Sequence, residues 1–163
     1  MLWKFFLIQC TFSYLATVGF AICINVPRHA LNLAGIGGMA CWFTYEVAVL
    51  FHLGRVLGSL LGALIVGVCG IFFARGKHMP VILFNIPGMV PLVPGATAYE
   101  AIRYLALGQV SKALKLTVLV AMIASAIAVG FMIAQVISEL VQWIWKKDME
   151  IHKKHEKEHY HGI

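Results

Sequence analysis

One run of the chain, Pro87-Gly88-Met89-Val90-Pro91-Leu92-Val93-Pro94-Gly95, puts three prolines and two Pro-Gly pairs among apolar residues. Proline removes a backbone donor and clashes with the preceding turn, so a continuous helix cannot pass through such a run. Broken apolar helices expose backbone N–H and C=O groups that can meet anions and cations in a transport path. The alternative is a tight interfacial loop with no ligand. Just downstream, Thr97-Ala98-Tyr99-Glu100 fits a T-x-x-E capping box, with Thr97 as N-cap and Glu100 at N3. The same carboxylate is a candidate proton carrier, since ionisable groups inside membrane segments are functional by default. Arg103, three residues on, shares a helix face with Glu100; it can pair with that residue or hold a carboxylate. Glu46 is the one acid before Glu100, and is either a coupling site or a span-end residue reaching interfacial water. Asn25, Asn85 and Ser125 are expected to hydrogen-bond between helices.

Other chemistry is sparse. No nucleophile elbow, P-loop or HExxH pattern is present, which argues against an enzyme. Cys10, Cys23, Cys41 and Cys69 lie in apolar stretches without a CxxC pair, and read as small packed residues. His152, His155, His159 and His161 sit among lysines and glutamates near the C-terminus. They read as part of a basic, membrane-apposed tail, so no metal or cofactor is expected.

The elements that must position these groups are membrane helices. The chain has 163 residues, 61% hydrophobic and 12% charged, with mean hydropathy +0.85. A soluble domain carries about 25% charged residues. Spans are expected over residues 5–26, 30–51, 56–74 and 116–145, with a fourth element between the third and last. That element, residues 79–108, holds four of the five prolines and divides into half-helices at 81–86 and 96–107. Gly54, Gly58 and Gly62 recur every four residues, an expected helix-packing stripe. The net charge of +6 reflects basic residues at span ends, not a nucleic-acid surface. The fold class is thus an all-α integral membrane protein of about five transmembrane helices. Residues 1–147 form the membrane domain and 148–163 a polar helical tail.

If the fourth element crosses, one side collects Arg28, Arg75, Lys77, Lys146, Lys147, Lys153, Lys154 and Lys157. The other collects Lys4, Arg55, Lys112 and Lys115. The bias places the N-terminus outside and the C-terminus in the cytoplasm. A re-entrant fourth element would leave orientation unspecified.

Three segments carry a resemblance to a known family: Asn25-Val26-Pro27-Arg28-His29-Ala30-Leu31; Gly35 to Gly38; and Pro80-x-x-x-Phe84-x-x-Pro87-Gly88-x-x-Pro91-Leu92-Val93-Pro94-Gly95-x-x-Ala98-Tyr99. Over roughly residues 5–145 the chain resembles the threonine/serine exporter family, in its small-subunit form. That form is equivalent to the second membrane domain of fused exporters. The resemblance implies an inner-membrane secondary exporter of threonine and serine or of succinate-like dicarboxylates, acting with a larger membrane subunit. Some small-subunit relatives carry a basic residue in the second span, where this chain reads Cys41-Trp42-Phe43-Thr44-Tyr45-Glu46.

The expected mechanism is alternating access driven by a proton gradient. Residues 87–95 (Pro87, Gly88, Pro91, Pro94 and Gly95 above all) form the unwound gate. Thr97, Tyr99 and Arg103 approach the substrate carboxylate, and Glu100 or Glu46 couples protons. The runner-up is a non-transporting assembly subunit using the glycine stripe of the third span. Homo-oligomerisation within the complex is open.

Overall fold

The computed structural model describes residues 2–160, with side-chain surroundings given for residues 6–140. The described chain is helical: α1 (Leu2–Cys23), α2 (Arg28–Leu50), α3 (Gly54–Lys77), α4 (Ile82–Gly88), a 3₁₀ turn (Val90–Leu92), α5 (Gly95–Ala106) and α6 (Val110–Tyr160). Four of these helices are long and apolar enough to cross a membrane. The pair 82–92 and 95–106 adds a fifth candidate, bent by 51°.

Contacts between helices settle the path of the bent pair. Helices α1 and α2 run antiparallel, with Gln9 beside Trp42 and Tyr14 beside Asn32. Helices α2 and α3 are also antiparallel, Tyr45 meeting Gly58 and Cys41 meeting Gly62. Helices α3 and α6 run parallel: Leu60 and Ala63 meet Gly130, Gly67 meets Ala134, and Arg75 reaches Ser138. The chain therefore leaves α3 at one end of the bundle and enters α6 at the other. The bent pair between them must cross the bundle rather than turn back. Of the two topologies open in the sequence, the five-crossing one is seen.

Close approach comes from small residues, as expected where lipid supplies no hydrophobic drive between helices. Close approach occurs at Gly58 and Gly62. A Cβ on Gly58 would lie 3.1 Å from the Tyr45 ring, and one on Gly62 would lie 3.1 Å from both the Cys41 carbonyl and Leu92. Gly54 does not belong to the stripe. It is exposed, has φ +83°, and starts α3 in a left-handed turn that other residues adopt only under strain. A second small contact was not anticipated: a Cβ on Gly130 would press 2.6 Å from the Leu60 carbonyl.

The expected unwound segment is shorter than residues 87–95. Pro87 and Gly88 are buried in the last turn of α4, where Gly88 abuts Val66 and Gly38. Pro91 lies within the 3₁₀ turn. Only Val93 and Pro94 leave helical geometry. Val93 is extended (φ −61°, ψ 122°), as the residue before a proline prefers. Pro94 (φ −77°, ψ 52°) forms an inverse γ-turn, closed by the Gly95 N–H donating to the Val93 carbonyl at 2.7 Å. The last helix starts before residue 116 and its backbone continues through the tail to Tyr160. The tail histidines' side chains lie outside the described residues.

Candidate functional site

The break at Val93 and Pro94 opens onto a cavity of about 440 Å³. Its walls come from every long helix. Gln9 enters from α1, Trp42, Tyr45 and Glu46 from α2, Arg55 and Ser59 from α3, and Ile123 from α6. The remaining wall is the broken element itself, from Pro91 through Thr97. Small-molecule sites commonly span about 300–1,000 Å³ and mix apolar walls with a few polar groups.

Local geometry explains why these side chains meet. Gly58 admits the Tyr45 ring, so α3 approaches α2 near its end. Arg55 and Ser59, on the same stretch of α3, then reach the wall that holds Glu46. The Trp42 indole N–H donates to Gln9 Oε1 at 3.2 Å, and its ring lies 5.2 Å from that of Tyr45. This fixes an aromatic wall beside the two charges. Tyr45 is within electrostatic reach of both Arg55 and Glu46. Among the described residues, no ion pair joins Glu46 to Arg55. Gly62 admits Leu92, which holds the 3₁₀ turn against α2 and α3. Beyond the γ-turn, Ala98 makes the first helical bond of α5, to the Pro94 carbonyl. The N–H groups of Ala96 and Thr97 precede it in the first turn, where helices leave donors free. An arginine, a carboxylate, a hydroxyl and free backbone donors therefore border one space.

The predicted residues divide. Glu46, Pro91, Pro94, Gly95 and Thr97 line the cavity. Pro87 and Gly88 are core residues behind it. Tyr99, Glu100 and Arg103 are exposed on α5 outside it, with Tyr99 67% exposed. Thr97 is not an N-cap: α5 begins two residues earlier, after Pro94, with no side-chain cap. The capping box fails because the chain turns helical at Gly95, directly after the γ-turn at Pro94, so Thr97 already lies inside the first turn. Glu46 lies one turn before the end of α2, half-buried in the cavity wall.

Gln9, Trp42, Tyr45, Arg55, Ser59 and Ile123 line the cavity without having been singled out in the sequence, and Arg55 and Gln9 matter most to its chemistry. Arg55 reads as a turn residue, and Gln9 as mild polarity in a span. The available signal was that both lie near helix ends on the same side of the bundle as Glu46. The expected interhelical bonds of Asn25, Asn85 and Ser125 do not form. Asn25 occupies a left-handed turn (φ 60°), Ser125 bonds within its own helix to Ala121, and Asn85 Oδ1 is buried without a partner. Ser13 makes such a bond instead, donating to the Gly38 carbonyl at 3.0 Å.

Comparison with known proteins accords with this architecture. An uncharacterized protein from Haemophilus influenzae is 24% identical over 90 residues, covering 55% of this chain and 30% of that protein. The matched part is thus less than a third of the relative's length. No solved structure matches significantly. The family profile described as "Threonine/Serine exporter, ThrE" matches residues 9–137, most of the chain and all of the cavity-lining residues. This multi-pass membrane protein belongs to the threonine/serine exporter family.

Proposed function

We propose that the cavity bordered by Glu46, Arg55 and the break at Pro94 is the substrate site of an exporter for small carboxylates, either threonine and serine or succinate-like dicarboxylates. One observation carries the reading. The only acid of the first three spans, an arginine and the helix break face the same space. Arg55 holds the substrate carboxylate, as a guanidinium does best through paired hydrogen bonds. Thr97 and the first turn of α5 supply further donors. Glu46, rather than the exposed Glu100, exchanges the coupling proton. Tyr99 and Arg103 drop from the substrate-contacting set.

The chain acts in the inner membrane, with its N-terminus outside and its C-terminus in the cytoplasm. It works as the small subunit beside a larger membrane subunit of the same family.

Transport by membrane vesicles containing the full complex tests the reading. Arg55→Ala should raise the KM for the transported acid about tenfold to a hundredfold, the loss of one charged hydrogen-bond set (~1.5–3 kcal/mol). Unchanged transport of both L-threonine and succinate by Arg55→Ala would remove the site from the pathway and favour an assembly role.

A further inference from the structure

A second cavity, wide open to the surroundings and of about 460 Å³, lies between α4 and α6 on the far side of the broken element. It is bordered by Asn85 from α4, by Met89 just after that helix, and by Phe131 and Gln135 from α6, among others. The two cavities belong to opposite ends of the bundle. On α6 the first touches Ile123 and the second reaches Gln135, about 18 Å further along at 1.5 Å per residue. On the broken element the first takes residues from Pro91 onward and the second takes residues up to Met89. Both cavities include polar side chains, Glu46 and Arg55 in the first and Gln135 in the second.

Between the cavities sits a small apolar cluster. Its buried members are Cys41, Ala63, Val66 and Leu92, and Met89 and Phe131 pack against it. Leu92 also lines the first cavity, while Met89 and Phe131 also line the second. The cluster thus borders both spaces. Met89 precedes the 3₁₀ turn and Leu92 ends it, immediately before the bend at Val93 and Pro94.

We infer that the second cavity is the opposite vestibule of the transport path, and that Leu92, Met89 and Phe131 form the apolar gate separating it from the substrate site. The inference rests on the proposed substrate cavity. Gln135, whose amide also donates to Glu139, offers the departing substrate a polar contact where most of the wall is apolar. Opening needs only the 3₁₀ turn to shift against Val66 and Phe131, because the bent element is held by no continuous helix across Val93 and Pro94.

The test uses the full complex in oriented vesicles, with Cys10, Cys23, Cys41 and Cys69 replaced by alanine and transport retained. Single cysteines are placed at Thr97 and Gln135 and labelled with a membrane-impermeant thiol reagent, with L-threonine and succinate as probes. The gate predicts that Thr97→Cys reacts from one membrane face and Gln135→Cys from the other. A transported probe should change both rates several-fold. If Thr97→Cys is protected by a probe while Gln135→Cys is indifferent, the second cavity is a lipid-facing groove; the gate is overturned and the substrate site stands. If neither responds to either probe, both readings fall. A second measurement keeps the native cysteines. Leu92→Ala and Met89→Ala should each let the transported probe leak down its gradient several-fold faster without a proton gradient. Tight vesicles with either variant, at normal protein levels, would overturn the gate.

Discussion

Glu46 and Arg55 border one cavity without pairing, and this gives each a distinct expected phenotype. Arg55→Lys keeps the charge but loses the planar fork, so it should recover only part of the affinity lost in Arg55→Ala. Glu46→Gln should still bind substrate yet lose acceleration by a proton gradient, read as transport rate with and without an imposed pH difference. Glu100→Gln should retain both rate and coupling, because Glu100 is exposed on α5 away from the cavity. A coupled Glu46→Gln protein, or an uncoupled Glu100→Gln protein, would reverse this assignment. Glu46 was legible in the sequence because an acid stands out in apolar surroundings. Arg55 was not, because an arginine beside Gly54 in a short connection looks like any span-end cation, and only the approach of α3 to α2 at Gly58 shows where it reaches.

The broken element shows how far local rules carry. A residue before proline resists helical geometry, which would place breaks at Ile86, Val90 and Val93. Only Val93 obeys. Pro87 sits in the last turn of α4 and Pro91 inside the 3₁₀ turn, both held by burial of Phe84, Gly88 and Leu92 in the bundle. The density of prolines announced a break, but tertiary contacts chose its place. The same contacts moved the start of α5 ahead of Thr97. Pro94→Ala restores a backbone donor and frees Val93 to turn helical. It should straighten the 51° bend and slow transport severalfold or more, while leaving protein levels and α3–α6 contacts intact. Glycine spacing was equally partial: Gly58 and Gly62 were legible as packing positions, whereas Gly130 lacked a repeat to mark it. Gly130→Val would force its side chain into the Leu60 carbonyl and should destabilise the bundle by about 1–3 kcal/mol, read as a lower melting temperature in detergent.

Across the bundle, the parallel run of α3 and α6 requires five crossings, and the ends of the membrane domain then face opposite sides. Composition alone made the protein a helical membrane protein. Charge counting favoured five spans, but the decision between crossing and re-entry needed the direction of α6 relative to α3. Accessible tags before α1 and after α6 should therefore report from opposite faces of the membrane. The central claim is that this chain itself lines the substrate path at the cavity beside Pro94. Substrate protection of a single cysteine tests that most directly, in native vesicles from a strain making the full complex. Thr97→Cys should be labelled several-fold more slowly in the presence of L-threonine or succinate, whichever is transported, while Tyr99→Cys, exposed outside the cavity, should be labelled at an unchanged rate. Equal labelling of Thr97→Cys with and without both compounds, in vesicles that still transport, would place the path in another subunit and contradict the account.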